Sequence, residues 1–367
     1  MRLPDLIQRL RALGAKPIHE QRVLRQWLQA QPLDGGKRRP ESFLPLALRE
    51  AIPRLEVELQ QLAQIDSQHP AEDGSARLLV RLADGQSIES VLLPRDGLCV
   101  STQIGCAVGC VFCMTGRSGL LRQLGSAEIV AQVVLARFLR PVKKVVFMGM
   151  GEPAHNLDNV MEAIELLGTA GGIGHKNLVF STVGDRRAFE RLPLGRVKPA
   201  LALSLHSTMA ARRAQLLPRA PQIEPDELVA LGLQYARLTG YPMQVQWTLI
   251  EGENDGADEL DGLVRLLAGQ GAVLNMIPYN AVDGLSFKRP SWERCAELAR
   301  HLHRRGVLTK LRQSAGQDVD AGCGQLRARA ATSASIGLDV VQPNEAAPAQ
   351  LFVLQRLGKL IRRVEHR

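Results

Sequence analysis

The chain has 367 residues, 45 % apolar and 23 % charged, which is ample for one large domain or two and argues against wholesale disorder. Lys and Arg number 46 against 37 Asp and Glu, a formal charge of +9, so the expected partner is acidic, with RNA or DNA ahead of a membrane surface. Aromatic residues make up only 4 %, which argues against a reader of RNA built mainly on stacked aromatic platforms.

The opening segment MRLPDLIQRLRALGAKP alternates charged and apolar residues and reads as neither a signal peptide nor a mitochondrial presequence. No run approaches the ~20 apolar residues that span a bilayer. Six cysteines are too sparse for a disulfide scaffold and point to a reducing compartment, with the cytoplasm expected.

In chain order, residues 1–60 read as a small helical domain: Leu6, Leu10 and Leu13, then Val23, Trp27 and Leu28, recur at helical spacing, broken at Gly14 and Gly35-Gly36. Residues 61–97 read as a β-hairpin linker region. Its two alternating runs, Ala76–Leu82 and Ser87–Leu93, flank Asp84-Gly85, which supplies the turn. From residue 98 to 327, short apolar runs alternate with helical stretches. The runs are LCVSTQ, KVVFMGM, NLVFST, PALALSLH, MQVQWTLI, AVLNMIP and LTKLRQ. One of the helices is predicted over Ser126–Phe138 with Ser126 as N-cap. Repeated strand–helix units predict an α/β fold, a partial or full (β/α) barrel, with its chemistry where strands end. Residues 328–367 read as a linker and a C-terminal helical tail, basic and amphipathic, with Leu351, Leu354, Leu357, Ile361 and Val364 on one face.

Cys106, Cys110 and Cys113 form C-x3-C-x2-C at the end of the first barrel strand. No fourth Cys or His follows nearby to close a structural zinc site. Three thiolates on one loop suit an iron–sulfur cluster with one open iron. The spacing resembles the radical S-adenosylmethionine (SAM) superfamily. The ordered stretches LCVSTQIGCAVGCVFCMTG, VVFMGMGEP, STVG, ALSLH, EGENDG, MIPYN and VDAGCGQL resemble its RNA adenine methyltransferases, the RlmN/Cfr family, over about Gln86 to Leu326.

The resemblance implies a radical SAM barrel holding a [4Fe-4S] cluster on Cys106, Cys110 and Cys113, and two SAM molecules per turnover. One SAM methylates Cys323; the other, reduced at the cluster, yields a radical that activates the new methyl group for addition to an adenine ring carbon, C2 or C8. Cys99 matches the cysteine that resolves the RNA adduct through a transient disulfide with Cys323, and Glu89 the proton acceptor. Gly151, Glu152, Ser181, Ser204, Leu205, His206 and Asn280 match SAM-binding positions. The implied substrate is rRNA, 23S first, with tRNA as a further target; the implied electron donor is of the flavodoxin or ferredoxin kind.

Taken singly, these residues have plainer readings: a hairpin Glu89 is a solvated side chain, His206 a core residue, Ser181 and Ser204 helix caps, and Cys295 a small buried apolar residue. Met114, LLPRAPQIEP, VQWTLIEG and RQSAGQDVDAGCGQL depart from the family's commonest text on the substrate side, not at the cluster. Two other functions remain compatible with the residues: a radical SAM enzyme acting on a protein or small molecule, and a noncatalytic RNA-binding protein with a structural metal. The charge is uneven. Residues 1–60 and 326–367 each carry +4 and residues 61–325 only +1, so the ends are expected to grip phosphates.

Overall fold

Helices Leu3–Ala12 (α1), Pro17–Leu28 (α2) and Leu46–Gln61 (α3) open the chain, in a computed structural model that describes residues 1–35, 41 and 43–328. Each is amphipathic at helical spacing and turns Leu6, Leu10, Val23, Trp27, Leu28, Leu48 and Leu55 into a core shared with the sheet.

The chain then forms Ala63–Pro70 (β1), Ala76–Leu82 (β2), Ser87–Leu93 (β3) and Gly97–Cys99 (β4), each antiparallel to its predecessor. The β2–β3 hairpin has the bounds expected from its alternation, with Gly85 at φ +82° in the turn. β1 escaped the sequence reading. Its residues AQIDSQHP are mostly polar, and it is held as an edge strand by pairing with β2. A two-stranded hairpin of Gln103–Gly105 (β5) and Leu120–Gln123 (β6) follows and brackets the cysteine triplet.

Strands Lys144–Phe147 (β7), Leu178–Thr182 (β8), Ala200–Ser204 (β9), Met243–Leu249 (β10), Ala272–Pro278 (β11) and Thr309–Leu311 (β12) extend the sheet from β4, every neighbour parallel. Apart from β12 at the end of the sheet, their near-continuous apolar text reflects coverage on both faces. The covering helices are Ser126–Leu139 (α4), Leu157–Gly168 (α5), Arg186–Arg191 (α6), Ala210–Leu216 (α7), Pro225–Thr239 (α8), Ala257–Leu267 (α9) and Trp292–Arg304 (α10).

Among the described residues β12 pairs with β11 alone, so the parallel strands form a partial barrel. The sheet is curled. Lys144 at the start of β7 feels the charge of Arg312 just past β12, whereas five spacings of ~4.8 Å in a flat sheet would part those strands by ~24 Å.

One cap differs from expectation. Gly125, not Ser126, is the N-cap of α4, its N–H donating to Glu128 at 2.7 Å. Ser126 Oγ instead accepts from Leu3 N–H at 2.8 Å and donates to Glu162 at 2.6 Å, tying α1 and α5 to α4. The predicted linker and tail lie outside the described residues beyond Ala328. No helix among the described residues is long and apolar enough to cross a membrane.

Candidate active site

The cysteine triplet sits on the loop between β5 and β6, at the mouth of the partial barrel. Cys106 N–H donates to Gly119 O at 2.9 Å, closing the hairpin, and Cys113 N–H donates to Cys110 O at 3.0 Å. The loop folds so tightly that a Cβ on Gly116 would lie 2.7 Å from Gly109 Cα, and Gly109 has φ +63°. An apolar floor of Val108, Phe112, Val183, Leu217, Ile250 and Tyr279 supports it.

All three thiols are half-buried, and burial raises their pKa values, that of Cys106 to about 12. After burial, the largest influences on Cys110 are the charges of Cys113 and Cys106, so the three sulfurs face common ground. The thiols on their own resist ionisation, and a cationic centre would reverse that. Among the described residues, no three His, Cys, Asp or Glu side chains gather closely enough for a single metal ion. Three convergent but separated thiols without a fourth ligand suit the [4Fe-4S] cluster, whose irons are spread apart. Arg213, which the sequence reading missed as one of two adjacent arginines on α7, is buried beside Cys110 and Glu152.

Cys323 occupies a second loop, laid directly on the first. Met114 N–H donates to Gly324 O and Thr115 Oγ1 to Leu326 O, both at 2.7 Å. Gly324, at φ +87°, permits this approach, since its Cβ would lie 3.3 Å from Phe112 O. The Cys323 residue is solvent-exposed within this protein-walled mouth, and burial of the thiol raises its pKa, with the charge of Cys113 second. Cys99, buried at the end of β4, is raised to about 12 by burial, with the charge of Cys323 next. Cys323 is thus an electrostatic neighbour of both Cys99 and Cys113.

Gly151 has φ +106°, and a Cβ there would meet the Gln103 side chain at 2.6 Å. Gln103 Oε1 accepts from Glu152 N–H at 2.7 Å, which aims the next side chain. The Glu152 carboxylate accepts from Ala154 and Val183 N–H, both at 3.0 Å, and burial lifts its pKa to about 7. Ser181 and Ser204 stand side by side on β8 and β9, Oγ to Oγ 3.5 Å.

Leu205 is fully buried, with its N–H donating to Gln246 O at 3.2 Å. His206 adopts φ +61°, uncommon for a side chain other than glycine or asparagine. Thr248 N–H donates to its Nδ1 at 3.0 Å, which leaves the proton on Nε2, and Asn254 Nδ2 holds its carbonyl at 2.8 Å. Burial pushes its pKa down to about 3, so the ring is neutral, packed edge-on to Phe112.

Glu89 lies otherwise than its plainer reading as a solvated side chain suggests, and Asn280 is tied to the loop of Cys323. Glu89 is 1 % exposed, its Oε1 bonded to Arg77 Nη1 at 2.5 Å and its Oε2 to Arg327 N–H at 2.7 Å. Asn280 donates from Nδ2 to Ser314 Oγ and to Cys323 O, both at 2.9 Å, and accepts from Gln317 Nε2 at 2.9 Å. Both side chains therefore hold the Cys323 loop. Cys295 is buried on α10, its Sγ 3.8 Å from Pro290 O.

Residues 100–267 match the family model described as the Radical SAM superfamily, the class that a three-thiol loop over a partial parallel barrel defines. A probable RNA methyltransferase of Azoarcus sp. (strain BH72) is 75 % identical over 329 residues, 90 % of this chain and 95 % of that protein. One of Pseudomonas aeruginosa (strain PAO1) is 68 % identical over 332 residues, 90 % of this chain and 96 % of that protein. The crystal structure of a radical SAM methyltransferase from Sphaerobacter thermophilus superimposes with a TM-score of 0.76 at 32 % identity, covering 90 % of this chain and 98 % of that one. The chain belongs to the RlmN/Cfr family of radical SAM methyltransferases.

Proposed function

We propose that this protein is a cytoplasmic RNA methyltransferase that places a methyl group on a ring carbon of adenosine, C2 or C8, in 23S rRNA, with tRNA as a further substrate. The observation that carries the reading is the position of Cys323 between Cys99 and the cysteine triplet. Cys106, Cys110 and Cys113 would hold the [4Fe-4S] cluster, which with SAM supplies one-electron chemistry; two SAM are used per turnover. A flavodoxin- or ferredoxin-like protein supplies the electron.

Each residue then has a task its surroundings suit. The Cys323 thiolate takes the methyl group of one SAM by displacement, and the sulfur later presents that carbon to the adenine. Cys99, alongside, forms the transient disulfide that frees the RNA. Glu89 takes the proton from the adduct, and its buried carboxylate lies at the base of the Cys323 loop. The Glu152 carboxylate accepts from the SAM ammonium, and Gly151 lets the backbone close on it. Ser181, Ser204, the backbone of Leu205, and His206 through its Nε2 proton line the strand ends that receive the rest of SAM. Asn280 would reach SAM from the opposite side while fixing Cys323.

The reading is tested by peptide mass analysis of Cys323 in cluster-reconstituted protein given SAM. A methyl or methylene group on Cys323 supports it; SAM consumption with an unmodified Cys323 overturns it.

A further inference from the structure

The Arg77–Glu89 pair lies outside the matched barrel domain, on β2 and β3, yet both partners bond to the loop that carries Cys323. Strand alternation puts them on one face: Glu89 stands opposite Leu79, two residues along β2 from Arg77. Arg77 Nε donates to Val319 O at 2.7 Å, four residues before Cys323. Glu89 Oε2 accepts from Arg327 N–H at 2.7 Å, four residues after it. The pair itself is closed at 2.5 Å, with side-chain exposures of 8 % and 1 %. The neighbouring hairpin tip adds to the grip, Asp73 Oδ2 accepting from Gly316 N–H at 3.1 Å. A desolvated ion pair is a costly device for strand stability alone, since apolar residues of similar volume serve as well. Here its hydrogen bonds leave the sheet and bracket one cysteine.

We propose that Arg77 is a positioning residue for Cys323, holding the 313–327 loop through Val319 directly and through Glu89 and Arg327 indirectly. The inference rests on the assignment of Cys323 as the methyl-accepting thiol. Its guanidinium geometry matters because one planar fork serves a carboxylate and a carbonyl together. Arg77→Lys keeps the charge beside Glu89 and surrenders part of the hydrogen bonding to Val319. Arg77→Met removes both, and Arg77→Met with Glu89→Gln spares the fold an unpaired buried carboxylate.

The full chain, cluster-reconstituted, is assayed for the rate of Cys323 methylation, SAM affinity, iron content and melting temperature, and the peptide 313–327 for amide hydrogen exchange. Arg77→Met, or the double variant should the single one not fold, is expected to slow Cys323 methylation at least about tenfold. SAM affinity and iron content stay within about twofold, and Arg77→Lys, which keeps the charge but not the fork, recovers only part of the rate. Exchange accelerates in 313–327 and not in the strands of the barrel. Unchanged methylation, or a parallel loss of iron, SAM binding and methylation, overturns the proposal. If the unaltered protein never methylates Cys323, the functional reading fails on its own. Exchange in 313–327 then decides the clamp: faster in the variant supports it, unchanged overturns it.

Discussion

His206 sets a pH dependence of stability that can be worked from its surroundings. In the unfolded chain an imidazole titrates near 6.5; burial, then the charge of Arg213, depresses the folded value to about 3. Between those values the unfolded chain binds a proton that the folded chain does not. Its contribution is therefore intact above pH 6.5 and is lost as pH falls toward 3. One proton corresponds to about 1.4 kcal/mol per pH unit, so about 2 kcal/mol is lost between pH 6.5 and 5. The assay is denaturant unfolding of the full chain at about pH 7.5 and about pH 5, with His206→Gln as comparison. Glutamine carries its own cost at φ +61°, but that cost does not vary with pH and drops out of the difference. The variant should lose about 2 kcal/mol less on acidification. Equal losses in the two proteins would refute the reasoning.

Three other perturbations have defined outcomes. Gly151→Ala should destabilise by about 2–5 kcal/mol, the cost of strained backbone plus a displaced Gln103 that leaves Glu152 N–H unbonded, and should weaken SAM binding; an unfolding midpoint within error of the original counts against it. Cys110→Ser should leave the fold intact by circular dichroism while iron loading falls severalfold on analysis of the reconstituted protein; full loading would remove Cys110 from the ligand set. Truncation after Ala328 removes a basic segment and should weaken RNA binding, lowering the slope of log K against log salt by about one for each phosphate no longer neutralised, with Cys323 methylation retained. An unchanged slope refutes that role for the tail.

Most of the barrel strands were readable because they are short apolar runs between turn signals, as burial on both faces requires; β12, Thr309–Leu311, is half-exposed at the end of the sheet and carries little such text. β1 was not, because AQIDSQHP has too little apolar pattern and takes its conformation from β2. Gly125 displaced Ser126 as N-cap because the serine hydroxyl serves two other helices, a tertiary demand invisible in local sequence.

At the site, cysteine spacing and motif order located the two loops, and the structure brings the triplet, Cys323 and Cys99 together. What spacing could not convey was which polar groups hold those loops. Arg77, Gln103 and Arg213 act across 12 to 242 residues of chain, and each reads alone as an ordinary surface side chain. Glu89 shows the same limit in reverse, a hairpin glutamate that is fully buried.

The most direct test supplies the cluster-reconstituted protein with SAM, reductant and unmodified large-subunit rRNA under anaerobic conditions, then digests the RNA and identifies its nucleosides. The expected product is 2-methyladenosine or 8-methyladenosine, formed only when Cys323 is intact. SAM turnover with no methylated adenosine, or methylation that survives Cys323→Ala, would contradict it.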